Sequence, residues 1–340
     1  MRARTLSSIL ALSLGLTLPA MAAPLRVDVE DAADHQVSAQ GSYQGGLSQS
    51  WEWRFGSKRS ADNITGITAH GLIAAHKLTG LAEHEASALR AARSLIKAYD
   101  GGWKQRRPRT QDIEFLAVAG FVIDAGRWFS VITQRYGAKG YVDHVIDARA
   151  GGQFASLAGW DIASAIRAAV AVGQPGTAQA MLSRLVERRP RWDLKDNANA
   201  QKLSAGSLLW AISEVRRFRP LTAEQHAFTD SLVQRLLSAQ TARGSWATGD
   251  DREICTQTTA YAVLGLNAIK RGQRATQRGR QWLRRAALSD KLFFVGGRMW
   301  PSRYGLDGQP GAAFHGAVQS EVMMALATAP LVTRTSLANP

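Results

Sequence analysis

The chain has 340 residues and a single cysteine, Cys255. No internal disulfide can form, so the fold must hold by packing. Beyond the extreme N-terminal segment, no apolar run approaches the roughly 18 residues that a transmembrane helix needs. Strand-like alternation is absent past residue 60, which argues against a sheet protein. Neither a GxxxxGKS/T loop nor a GxGxxG turn is present to cradle phosphate, and no GxSxG nucleophile elbow occurs. Acidic residues are scarce: Asp and Glu number 27 against 42 Lys and Arg, a net charge of +15. That imbalance favours a polyanionic partner, either an acidic polysaccharide or an anionic surface. No groove-reading motif accompanies it, so a specific nucleic acid is not expected.

The N-terminal segment itself, MRARTLSSILALSLGLTLPAMAAPL, has the layout of a secretory signal peptide. Arg2 and Arg4 precede an apolar stretch from Leu6 to Leu18, and Ala20-Met21-Ala22 supplies small residues for cleavage. Residues 1–22 are therefore expected to be removed, and the protein to be exported to the periplasm or beyond. Losing the two arginines leaves +13. Residues 23–55, rich in Gly, Ser and Gln, read as a loosely structured lead-in. One domain follows over 56–332, with a tail over 333–340.

Within that domain, Ala-rich apolar segments recur at 64–78, 113–125, 160–172, 205–215, 258–269 and 318–329. Amphipathic, Arg-rich helices alternate with them, such as TAQAMLSRLVERR and QRGRQWLRRAAL. A helix that is small and apolar nearly all round is buried on all sides, whereas one with arginines on one face lies outside. An aromatic precedes each Ala-rich segment: Trp53, Trp103, Phe154, Trp192, Trp246 and Trp300, with gaps of 50, 51, 38, 54 and 54. About 50 residues is one helical hairpin with its loops. Six inner and six outer helices in alternation predict an all-α fold, a closed α/α toroid.

The strongest joint is Gln240-x-x-x-Gly244-Ser245-Trp246, followed by TTAYAVLGL from Thr258. It resembles the QW repeat of the terpenoid cyclase and protein prenyltransferase toroid superfamily, and implies the same fold. The first hairpin resembles pectate-lyase-type toroids at Asp62-Asn63, Thr79-Gly80 and Gly101-Gly102-Trp103.

In such a toroid the N-termini of the inner helices ring one mouth with positive dipole ends. Polar residues near these starts are Asn63, Asp112 with Glu114, Asp161, Gln257, and His315 with Gln319 and Glu321. Asn63, Asp112, Glu114, Asp161, Gln257 and Gln319 are the candidate substrate-binding residues. The lyase resemblance implies a base, for which His70, Arg167 and Lys202 are candidates. It also implies a cation to neutralise a uronate carboxylate, either Arg or calcium held by Asp62, Asp112 and Asp161. Glu253, Cys255 and His315 form a separate candidate zinc site, a thiolate, an imidazole and a carboxylate with one position left open. That set resembles the Asp-x-Cys…His site of prenyltransferase β subunits, with Glu in place of Asp. The expected function is an exported toroid that binds or cleaves an acidic polysaccharide, possible β-elimination included. The alternatives are a zinc-site toroid enzyme and a non-catalytic binding toroid.

Overall fold

A computed structural model of the chain describes residues 22–61, 63–101, 108–152, 154–194, 198–246, 256–289, 298–302 and 313–328. Asp62, Trp103, Glu253, Cys255 and the expected signal and tail segments, apart from Ala22, lie outside the described residues. Twelve helices of nine residues or more are present among them: α1 (Ala22–Ser38), α2 (Thr65–Thr79), α3 (Ala82–Asp100), α4 (Thr110–Val118), α5 (Val122–Arg149), α6 (Ala158–Ala171), α7 (Pro175–Glu187), α8 (Ala198–Arg216), α9 (Ala223–Ala239), α10 (Thr256–Ala268), α11 (Gln273–Ala286) and α12 (Gly316–Ala327). Strand is confined there to two antiparallel ladders of two-residue strands, Leu288–Ser289 with Arg298–Met299 and Pro301–Ser302 with Ala313–Phe314.

The even-numbered helices form the inner ring. Each packs on the next, and α12 packs back on α2, so the ring closes. The odd-numbered helices lie outside. This is the all-α toroid that the alternation of Ala-rich and Arg-rich segments predicts.

Small residues make the inner ring tight. A Cβ on Gly206 would lie 2.3 Å from Tyr261 O, and one on Gly265 would lie 2.2 Å from Gly206 O. The closing contact is built the same way. A Cβ on Gly71 would meet Ser320 Cβ at 2.4 Å, and Ser320 Oγ donates to Thr68 O at 2.9 Å. Gly206→Ala should accordingly overpack the α8–α10 seam and cost about 1–3 kcal/mol. Thermal unfolding checks this, and an unchanged midpoint would mean the two backbones do not meet there.

Two expectations change. The 23–55 segment is no loose lead-in. Residues 22–38 form the sixth outer helix, α1, with Val29, Ala32 and Ala33 buried. It packs on both α2 and α12, and so covers the seam where the chain's two ends meet. Gln36 Nε2 donates to Gly316 O at 2.8 Å, and Arg284 Nε meets Asp28 Oδ2 at 3.1 Å. Its apolar positions do not gather into a strong helical stripe, which hid it. The second change is at 113–125, which is not one segment. α4 ends at Val118, Gly120 turns with φ 93°, and Val122 already begins the outer helix α5. α5 itself breaks at Gly137, whose φ of 64° and ψ of 171° are not helical.

The recurring tryptophans have one shared job. Trp51, Trp192, Trp246 and Trp300 are fully buried. Each donates its indole N–H to a carbonyl late in the preceding outer helix: Gln36 O, Leu185 O, Leu236 O and Leu283 O, at 2.7, 3.0, 2.7 and 2.7 Å. Those carbonyls belong to the unpaired ends of helices, so the ring fills the wedge and caps the helix at once. The first anchor is therefore Trp51, not Trp53. In the Gln240–Trp246 joint, Gln240 Nε2 also donates to Gly244 O at 3.0 Å and Ala275 O at 2.8 Å. That clamps the turn onto α11.

Candidate functional site: a polar layer across the barrel axis

Each inner helix turns one stripe toward the axis, at spacings of three and four residues. Polar side chains occupy the middle of these stripes although the surrounding residues are apolar. His70 comes from α2, Glu114 from α4, Arg167 from α6, Ser207 and Trp210 from α8, Gln257 and Tyr261 from α10, and Glu321 from α12.

The layer is held by a buried ion pair. Arg167 Nε donates to Glu114 Oε1 at 2.8 Å, with both side chains about 5% exposed. Arg167 Nη1 donates to Ser207 Oγ at 3.0 Å, and the guanidinium lies over the Trp210 ring at 4.1 Å. Across the barrel, the His70 ring stands 6.1 Å from that of Trp210. Burial lowers the pKa of His70 from its usual 6.5, Glu114 opposes that, and Arg167 and Lys77 add to it. The imidazole is thus neutral at pH 7.

Glu321 is the most unusual member. Its side chain is fully buried, and only Oε1 is engaged, accepting from Gln257 Nε2 at 2.9 Å. Oε2 has no hydrogen-bond partner. Burial pushes the carboxyl up to about 8, against the lowering effects of Gln257, Tyr261 and Arg167. At neutral pH it is therefore mostly a neutral acid. Burial first, and Glu321 second, raise the Tyr261 phenol well above its usual value. The Tyr261 ring meets Trp160 edge-on at 6.3 Å. A neutral acid, a guanidinium, a neutral imidazole and three aromatic faces now converge on one axis. Such a set can hold a sugar ring, neutralise a carboxylate and move a proton.

Of the residues singled out in the sequence, His70, Glu114, Arg167 and Gln257 come together here. Arg167 does so as a cation rather than as a base, because a guanidinium paired with a carboxylate stays protonated. The others are placed elsewhere. Lys202 Nζ donates to Trp246 O at 3.1 Å and ties α8 to the joint before α10. Asp112 Oδ1 accepts from the backbone N–H of Gly66 at 2.9 Å, and its Oδ2 from the Tyr99 hydroxyl at 2.6 Å. It thereby serves one of the unpaired donors at the start of α2. Asp161 binds Arg149 Nε at 2.6 Å on the rim, where burial raises its pKa while Arg149 and Arg109 lower it. Asn63 is partly buried ahead of α2. Gln319 faces away from the axis: its amide bonds Trp300 N at 2.8 Å and Trp300 O at 2.7 Å.

His315, fully buried, occupies the N-cap position of α12 without a side-chain capping bond, and its ring stands edge-on to Trp53 at 5.3 Å. Glu253 and Cys255, its two expected zinc partners, lie outside the described residues, as does Asp62 of the expected calcium set. Among the described residues no group of three His, Cys, Asp or Glu side chains is arranged to hold a metal.

Glu321 was legible only as a helix-start polar residue, grouped with His315 and Gln319. Its signal was the stripe Ala317, Glu321, Met324, which puts the one carboxylate of α12 on the axial face. Trp210 and Tyr261 read as aromatic exceptions in small-residue helices, and the same stripe logic explains them.

No known protein-family profile matches this sequence, and no curated protein sequence matches it. Solved structures do match. A mutant of an unsaturated glucuronyl hydrolase from Streptococcus agalactiae superposes with a TM-score of 0.61 at 11% identity, covering 90% of each chain. An unsaturated glucuronyl hydrolase specific for heparin gives 0.59 at 13% identity, covering 90% of this chain and 96% of the other. An unsaturated glucuronyl hydrolase responsible for the degradation of glycosaminoglycan, from a Bacillus species, gives 0.56 at 12%, covering 90% and 95%. These neighbours are α/α toroids, and the likeness is one of fold. They are sugar hydrolases, so the toroid part of the sequence resemblance stands without its cyclase-specific label.

Proposed function

We propose that the protein is an exported, carbohydrate-active toroid that acts on an acidic oligosaccharide in the axial layer, with Glu321 as the proton donor. The observation that carries this is the state of Glu321: fully buried, half-bonded, and with its pKa raised to about 8. A carboxylic acid kept neutral at pH 7 is what general-acid catalysis needs. Arg167 lies opposite as the cation for a uronate carboxylate, and Trp210, Trp160 and Tyr261 supply faces for a sugar ring. The signal-like N-terminus and the basic composition fit export and an anionic substrate.

The fold neighbours act on unsaturated glucuronyl groups, by their names. Such a group is an enol ether, and it reacts by accepting a proton on carbon. Glu321 gives its proton to one carbon of the double bond. Water adds to the other carbon and passes its own proton to neutral His70. The resulting hemiketal opens and releases the next sugar.

A second reading is β-elimination on an intact polyuronate. The neutral His70 favours it, since that imidazole can abstract a proton α to a carboxylate neutralised by Arg167. Ultraviolet absorbance separates the two by sign. Hydration of unsaturated disaccharides from glycosaminoglycan or pectate should make absorbance fall, whereas elimination on intact chains should make it rise. Binding without either change would leave a non-catalytic toroid. One zinc per chain, lost in Cys255→Ala and His315→Ala, would move the assignment to the candidate zinc site.

A further inference from the structure

We infer that the outer wall of the toroid carries a second, non-catalytic binding site for an acidic polysaccharide chain, built on α11 and the turn that precedes α10. The sequence of α11 is QRATQRGRQWLRRA, with five arginines and no carboxylate. Ala275, Thr276, Gly279 and Leu283 pack inward. On the opposite face Arg274, Arg278, Gln281 and Arg285 are exposed, at i, i+4, i+7 and i+11. They form one stripe about 16 Å long at 1.5 Å per residue.

Elsewhere on the outer ring, several arginines are matched by acids. Arg127 meets Asp100 and Asp124, Arg184 meets Asp143 and Glu187, and Arg188 meets Asp143 and Asp147. On α11, Arg284 is paired with Asp28, while no carboxylate pairs with Arg274, Arg278 or Arg285 among the described residues.

Helix stability does not account for the stripe. Arg274 sits in the first turn, where the helix dipole disfavours a cation, and Arg274 and Arg278 repel at i, i+4. Two of the stripe's arginines are instead held in place. Arg278 Nη2 donates to Gln240 Oε1, and Arg285 Nη2 donates to Arg243 O at 3.1 Å. The turn lies hard against α11, since a Cβ on Gly244 would come within 2.6 Å of Arg278 O. The Gln240–Trp246 joint therefore sets Arg243, itself exposed, beside the stripe. The exposed guanidinium groups of Arg274, Arg278 and Arg285, set along a rod, match a linear chain of carboxylates or sulfates.

The site shares only its ligand class with the axial reading and does not depend on it. The test is binding of heparin and of polygalacturonate to the whole protein across a salt series, with neutral dextran as control. The variant Arg274→Gln/Arg278→Gln/Arg285→Gln keeps helix-forming side chains at each position. It should bind at least about tenfold more weakly, with a shallower dependence of affinity on salt, because fewer counterions are displaced. Arg127→Gln/Arg184→Gln/Arg217→Gln, the last paired with Glu214 at 2.9 Å, removes the same charge from acid-paired positions and should bind like the parent. Equal losses in both variants would show that net charge alone drives binding and would overturn the site. So would unchanged binding in the α11 variant, or a preference of that stripe for anionic vesicles over both polysaccharides. Turnover of an unsaturated disaccharide should be the same in the parent and the α11 variant, because so short a substrate does not span the wall.

Discussion

Glu321→Gln should slow turnover severely and, at neutral pH, make the folded protein more stable. The amide keeps the shape and the bond with Gln257 but cannot give up a proton. General-acid catalysis contributes about 10²–10⁴-fold, and that is the expected loss in rate. The stability change follows from linkage. Burial raises the carboxyl from its usual 4.5 to about 8, so the folded state binds a proton that the unfolded state has released. Stability is then fully present below about 4.5, falls as the pH rises to about 8, and levels off above it. At pH 7 the parent forgoes on the order of 3 kcal/mol that the amide recovers. Thermal unfolding at pH 5 and pH 8 measures this: the parent should lose stability between the two, and Glu321→Gln much less. In the parent, activity should also fall as the pH rises through about 8, where the acid is lost. A variant that retains its rate, or a parent whose stability is flat over that range, would remove Glu321 from the chemistry.

Arg167→Met should be the most damaging single change to stability. It leaves the Glu114 carboxylate about 5% exposed with its cation gone, and removes the bond to Ser207 and the contact with Trp210. Breaking one side of a buried pair typically costs about 3–5 kcal/mol, because the remaining charge stays desolvated. For a chain of this size that is a drop of about 10 °C in unfolding midpoint. Replacing both partners, as Glu114→Gln with Arg167→Met, should recover most of that stability, because no uncompensated charge remains. The double variant should still fail to turn over an acidic substrate, since the guanidinium for its carboxylate is absent. Recovery of fold without recovery of activity would separate the two roles of Arg167. A single variant as stable as the parent would show that the pair is not buried.

The ring of helices was readable from the chain because its signal is local. Ala and Gly crowd the segments that face neighbours on all sides, arginine marks those that do not, and tryptophan recurs where hairpins join. Each follows from burial and from the helical period, and neither needs knowledge of distant partners. The same locality explains the misreadings. α1 has weak amphipathicity of its own and is a helix of the ring only because α2 and α12, from opposite ends of the chain, need a cover. Trp53 and Trp51 are indistinguishable by spacing, and only the position of Gln36 O decides between them. Among the polar residues, Asp112, Lys202 and Gln319 look like site residues because they sit at helix starts. Their bonds to Gly66, Trp246 and Trp300 use them to join elements.

What the sequence determined by itself is the class of fold, the inner and outer identity of most helices, and an excess of positive charge. What the tertiary structure alone decided is which side chains share the axis. Six helices must close into a ring before His70, Glu114, Arg167, Trp210, Tyr261 and Glu321, spread over some 250 residues, occupy one layer. Only in that closed ring does burial make Glu321 an acid at neutral pH.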